Sequence, residues 1–270
     1  MSANRLAYSG TQEFLANVGS LDDSDQSAHI AELQSAITQG LVERPNDPNW
    51  DTLSEERSWM NYYYRQKRKP REDSTPFTFA EHVKLASHVL CGDPACRTML
   101  DFGAFMATPD QIIADYFPDV NVIGLDRSTR VKFLNEQEFS APNLHFVAED
   151  IFSFIRANDL RGALMTHVRT TSLLYPAAVS LLYAEAARAG IKHIIGIEYS
   201  GYSRELHRFF PFEETLTPSA VLRDGMFIHD YPNIAEACGY SVRRIELKRV
   251  PMRKAKQQDM HALCFIASLA

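Results

Sequence analysis

Between Thr98 and Tyr199 five short apolar runs alternate with four helical stretches. The runs are TMLDFG (Thr98–Gly103), VNVIGLD (Val120–Asp126), NLHFVAED (Asn143–Asp150), GALMTHV (Gly162–Val168) and IKHIIGIEY (Ile191–Tyr199). Helical stretches fall between them at about Pro109–Phe117, Ser128–Glu136, Ile151–Ala157 and Pro176–Arg188. Strands separated by helices at this spacing need right-handed crossovers and therefore run parallel. Apolar residues on both sides of each run call for a sheet covered on both faces. The expectation is an α/β fold.

The flanks have a different texture. Residues 1–85 read as an all-helical extension or lid: Ile30, Leu33, Ile37 and Leu41 recur at helical spacing, and a second stretch runs from about Leu53 to Gln66. That stretch carries Trp59, Tyr62, Tyr63 and Tyr64, ahead of the basic run RQKRKPR. These aromatics either pack on the main domain or close over a ligand, and the basic run reads as a solvated helix end. Residues 86–270 form the main domain, with an aromatic and charged insertion at 200–229. A short helix at Asn233–Cys238 is ended by Gly239 as a C′ glycine. YSVRRIELKRV (Tyr240–Val250) and MHALCFIASL (Met260–Leu269) then read as an antiparallel pair.

Charge and cysteine content narrow the function classes. A net charge of -6 argues against a general polyanion binder. Cys91, Cys96, Cys238 and Cys264 have neither the density of a disulfide framework nor zinc-finger spacing, so no metal is expected. The opening MSANRLAYSGTQEF lacks a basic segment followed by an apolar core, and the chain has no long apolar run. A cytoplasmic protein without membrane attachment is the expectation.

In an open parallel sheet, ligands bind beyond the carboxyl ends of the strands, near the switch in strand order. The first strand ends in Asp101 and Gly103. Thr108-Pro109-Asp110-Gln111 then has the form of a capping box with proline at the first helical position. The intervening loop is no phosphate cradle: it lacks GxGxxG and a P-loop lysine, and Phe105 and Ala107 stand where glycines would be needed. Asp126, ending the second strand, offers two acceptor oxygens to the two hydroxyls of a ribose. Asp150, ending the third, suits either an adenine amine or a helix cap.

With LDFGAFMAT, VIGLDRS, FVAED and the closing antiparallel strands in view, residues 97–269 resemble the class I S-adenosylmethionine-dependent methyltransferases. The phrase HDYPNIAEACGY resembles the late helix of small-molecule and sugar O-methyltransferases. The resemblance implies a Rossmann-like seven-stranded sheet, parallel with terminal antiparallel strands, and S-adenosylmethionine as cofactor. It implies that Asp101, Gly103 and Ala104 lie against the methionine moiety, and that Asp126 binds the ribose hydroxyls with Arg127 beside the adenine. It implies that Asp150 and Ile151 meet the adenine, and that Thr166 and His167 sit beside the sulfonium and the acceptor.

Methyl transfer draws much of its rate from positioning, and a base helps when the acceptor is a hydroxyl. His167 is the expected base by strand order, with a histidine bonded to backbone as the alternative. Tyr63, Tyr199, Arg204, His207 and His229 are the expected acceptor-binding residues, Arg204 and Arg208 sharing one helical face. The expected function is methyl transfer to a hydroxyl or amine of a small molecule. A non-catalytic scaffold of the same fold is the first alternative, supported by the glycine-poor loop. A nucleic-acid methyltransferase landing on RQKRKPR is the second. The helical extension is also a candidate homodimer element.

Overall fold

The computed structural model describes residues 75–174, 176–203, 208–210, 219–223, 226–249 and 261–269. The described chain starts with α1 (Thr75–Gly92), followed by β1 (Thr98–Phe102), α2 (Thr108–Tyr116), β2 (Asn121–Asp126) and α3 (Thr129–Glu138). Next come β3 (Leu144–Ala148), α4 (Ile151–Ala157), β4 (Leu164–Val168), a 3-10 turn at Thr171–Leu173 and α5 (Pro176–Arg188). The remainder is β5 (His193–Ser203), β6 (Arg208–Phe210), β7 (Ser219–Arg223), β8 (Met226–His229), α6 (Tyr231–Ala237), β9 (Tyr240–Arg249) and β10 (His261–Leu269).

The main sheet has the order β3-β2-β1-β4-β5-β10-β9, with β6 added antiparallel to the end of β5. Strands β1 to β5 pair in parallel, whereas β10 pairs antiparallel with both β5 and β9. The expected seven strands and terminal antiparallel pair are present. The 200–229 insertion adds more than was expected of it: β5 runs on to Ser203, β6 pairs with that extension, and β7 and β8 form a separate hairpin. Arg208 therefore lies in a strand, so it shares no helical face with Arg204.

Two apolar layers cover the sheet, because successive strand residues face opposite sides. Leu100 and Met165 enter the layer formed with α4, α5 and α6, while Met99 and Leu164 enter the layer formed with α1 and α2. Each fully buried Leu, Ile or Phe there contributes about 1.5–3 kcal/mol. Gly196 in β5 is set by close approach: a Cβ there would lie 2.1 Å from the Phe265 ring.

Local signals explain the helix ends. Gly239 follows the Cys238 cap of α6 with φ +90°, as the C′ position requires. The capping box at Thr108 does not form. Ala107 is the N-cap of α2, Thr108 is already helical, and Gln111 instead donates to Asp115 and accepts from Ser140 N–H. Starting the helix one residue early leaves Thr108 unable to reach back. The domain boundary expected near residue 85 falls inside α1, whose Leu85, Ala86 and Val89 are buried against the sheet. No helix among the described residues is long and apolar enough to cross a membrane.

Candidate functional site

Strand order reverses between β1 and β4, so the crevice of interest opens at their carboxyl ends. Gly103 follows β1 with φ +81°, and a Cβ on it would lie 2.2 Å from Thr170 Oγ1. Only glycine takes this turn without strain and leaves room for Thr170. The loop is tied down on its other side. Gly103 and Ala104 N–H groups donate to Leu125 O at 2.8 and 3.2 Å, and the buried Asn135 Nδ2 donates to Ala104 O at 2.9 Å. Phe105 packs against Val131 of α3, which gives the side chain a place beside the loop.

The acids at the ends of β1, β2 and β3 meet different surroundings. Asp126 is half-buried at the end of β2 and its Oδ1 accepts from Ser128 N–H at 2.9 Å. Burial, offset in part by that bond, raises its carboxyl to about 6, with the charge of Asp101 adding to the rise. Among the described residues its second oxygen accepts no hydrogen bond. Asp150 is the N-cap of α4, its Oδ1 accepting from Phe152 N–H and Ser153 N–H. Asp101 is 7% exposed and sits beneath the loop rather than on its rim, accepting from Thr166 Oγ1 at 2.6 Å.

Thr166 and His167, adjacent in β4, point to opposite faces of the sheet. Thr166 joins Asp101, His82 of α1 and Asp110 of α2, with His82 Nε2 3.1 Å from the Thr166 hydroxyl. Desolvation lowers the His82 imidazole, while burial beside Asp101 pushes the Asp110 carboxyl well up. His167 faces the other layer among Tyr183, Tyr231 and Phe265. Its Nδ1 lies 2.8 Å from Glu198 Oε1, and because a carboxylate only accepts, Nδ1 is the donor. Its Nε2 meets the Tyr183 hydroxyl at 2.7 Å.

That Glu198 oxygen also accepts from Thr171 Oγ1 at 2.7 Å and from the N–H groups of Thr171 and Thr170 at 3.1 and 3.2 Å. Burial and the Glu198 charge push the Tyr183 and Tyr231 phenols well above their ordinary value. His229 lies in the same layer, 3.1 Å from Leu174 O, and desolvation lowers its imidazole to about 4. The network clamps the turn after β4. Arg169 within that turn has φ 53°, a left-handed conformation costing about 1–2 kcal/mol for a residue with a side chain.

By sequence, the chain matches no family model and no curated protein. Its coordinates do match solved structures. A magnesium protoporphyrin IX methyltransferase from Synechocystis with bound S-adenosylhomocysteine aligns with a TM-score of 0.53 at 12% identity, over 78% of this chain and 95% of that one. A S-adenosylmethionine-dependent methyltransferase from Anabaena variabilis aligns with a TM-score of 0.53 at 14% identity, over 82% of this chain and 96% of that one. This chain has the class I methyltransferase fold.

Within the methyltransferase fold, the structure brings Gly103, Ala104 and Asp126 together around one corner, where β1 and β2 are paired as far as Phe102 and Leu125. Arg127 is exposed just beyond Asp126, and Asp150 lies at the next strand end. The Ile151 side chain is in the core, so only its backbone is available to a ligand there. Thr166 is fully buried and turned toward Asp101. His167, the expected base, is 0% exposed, with both ring nitrogens bonded inside the protein. His229, expected on the acceptor side, is likewise fully buried. Tyr199 is in β5, its side chain outside the described set, and Tyr63, Arg204 and His207 lie outside the described residues.

Sequence reasoning missed His82, Asn135 and Thr170. His82 carries a faint signal, since it shares helical spacing with Leu85, Ala86 and Val89 on the buried face of α1. Asn135 and Thr170 act through tertiary contacts with the loop, which local spacing does not encode.

Proposed function

We propose that this chain is an S-adenosylmethionine-dependent methyltransferase acting on a hydroxyl or amine of a small molecule. The observation carrying the reading is Asp126, a carboxylate at the β2 end with one oxygen held by Ser128 N–H, beside the Gly103 turn. The residues present fit an adenosine there: Asp126 would accept from the ribose hydroxyls, Arg127 would flank the adenine, and the Gly103–Ala104 backbone would border the methionine moiety. When bound, S-adenosylmethionine supplies a methyl group on a positively charged sulfur. The chain's part is to hold and orient, because His167 is bonded away from the crevice. It steadies the turn after β4 through Glu198 and Thr171, and so the position of Thr170 against Gly103. The expected acceptor-side residues Tyr63, Tyr199, Arg204 and His207 complete the reading as binding groups.

Isothermal calorimetry on the full chain with S-adenosylmethionine and S-adenosylhomocysteine tests it. Asp126→Ala should weaken either ligand about 10–100-fold, the worth of hydrogen bonds to a charged group. Undetectable binding to the wild-type chain would sink the reading. It would favour the second one, a non-catalytic scaffold, which the engaged His167 and the glycine-poor Gly103–Ala107 loop support.

A further inference from the structure

We infer that His82, Asp101 and Asp110 form a buried site for a divalent transition-metal ion, with zinc the best chemical match. Three elements, α1, β1 and α2, each deliver one side chain to this point, and one ligand atom from each lies within 4.8 Å of the others. His82 is 2%, Asp101 7% and Asp110 0% exposed, so water does not solvate these groups. The decisive feature is Asp110. It faces Asp101, and apart from a proton shared with that second acid neither of its buried oxygens has a hydrogen-bond partner. Two buried acids face to face need a proton or a cation between them. A divalent cation between two aspartates and a neutral imidazole makes the pocket electrically neutral and stands where that proton would.

The spacing suits that ion. Zinc bonds oxygen and nitrogen at about 2.0–2.2 Å, so ligand atoms around it stand roughly 3–4 Å apart. His82 Nε2 and Asp101 Oδ1 are already 3.8 Å apart. Drawing in a pair up to 4.8 Å apart to that range requires about 1–2 Å of side-chain movement. The Thr166 hydroxyl, 2.6 Å from Asp101 Oδ1, is too close to share the ion with that oxygen and instead orients the carboxylate by donating to it. An imidazole in the set disfavours magnesium and calcium, and the lack of thiolate disfavours copper(I). The ion would pin α1 and α2 to β1 immediately before the Gly103–Ala107 loop. It is a structural site, independent of the function proposed above, and calorimetry with S-adenosylmethionine does not bear on it.

The test uses the full chain, demetallated with chelator, re-equilibrated with zinc chloride, desalted and assayed by plasma mass spectrometry. The expected result is stoichiometric zinc in the wild type and in a His145→Ala control on the exposed face of β3. Asp110→Asn, which keeps shape and packing, should lower zinc affinity roughly a hundredfold or more, beyond what loss of a supporting contact costs. His82→Ala should do the same where it folds. Cobalt(II) substitution should give d–d absorption without the thiolate charge-transfer band that a cysteine site would show. Zinc retained equally by Asp110→Asn overturns the proposal. So does a wild type that keeps no zinc and melts at the same temperature in zinc and in chelator, the behaviour of a proton shared between Asp101 and Asp110.

Discussion

The carboxylates at and around the carboxyl ends of the strands fall into two groups, one beneath the rim of the sheet and one on it. Asp101, Asp110 and Glu198 are nearly sealed from solvent, whereas Asp126 and Asp150 are half-buried at the ends of β2 and β3. The sealed acids act on the protein's own elements: one Glu198 oxygen collects four donors, and Asp101 takes the Thr166 hydroxyl. Of the rim acids, Asp126 holds one backbone N–H through one oxygen and Asp150 holds two through one. Position along a strand therefore does not decide an acid's role. What decides it is the supply of donors that the tertiary structure brings within reach.

Removing Glu198 should give the largest effect and the sharpest contrast with the rim. Glu198→Ala leaves the Thr170 and Thr171 N–H groups and His167 Nδ1 without their acceptor. Each stranded buried donor costs about 1–3 kcal/mol, so urea unfolding should register a loss of about 3–5 kcal/mol. Glu198→Gln keeps one acceptor oxygen and should lose less. A loss below about 1 kcal/mol for the alanine variant would mean that the turn after β4 holds itself. The division between sealed and rim acids would then lose its physical basis.

The same division separates what the sequence made legible from what it did not. Parallel strands β1 to β5 and the antiparallel β9–β10 pair follow from apolar runs and helical spacing, which are local signals. The strand-end acids were legible as positions, since each closes an apolar run. Which of them face a ligand was not. His167 and Thr166 differ by one residue and hence by one face of the sheet, and neither spacing nor residue type says which face is filled. Glu198 finds the Thr170 and Thr171 amides across a parallel strand pair, and Asp110 meets Asp101 across a helix start. Those meetings come from packing. The aromatic insertion was legible as a departure from rhythm, yet its strand pairing depended on β5 running on past Ser200, beyond its pairing with both β4 and β10.

Asp126 should respond to pH in a way the sealed acids do not. Its carboxyl titrates near 6, above the usual 3.8. On the proposed reading the ionised form would accept from the ribose hydroxyls, so cofactor affinity should be full above about pH 6. Below that, it should fall by about tenfold per unit. The apo protein has the opposite sign: a raised carboxyl supports folding below about 4 and loses that support as pH rises through 6. Calorimetry between pH 5 and 8, on wild type and Asp126→Asn, checks the first. The asparagine variant should bind weakly with no slope in this range. A wild-type slope that persists in the variant would assign the titration to another group.

Asp150 carries the smallest expected effect and asks the most of the comparison, because it is a cap and a candidate ligand at once. As N-cap of α4 it accepts from Phe152 and Ser153 N–H through the same oxygen. Asp150→Ala should therefore cost about 1 kcal/mol of stability whatever it does for adenine. Asp150→Ser separates the roles, since a serine hydroxyl caps nearly as well but is too short to reach a ligand beyond the helix end. Unfolding should return close to wild type in the serine variant. If Asp150 also meets the adenine amine, cofactor affinity should stay reduced in both variants by a few fold, the worth of one neutral-donor bond in a half-exposed position. Affinity that recovers together with stability would make Asp150 a cap alone and move it from the rim group to the structural one.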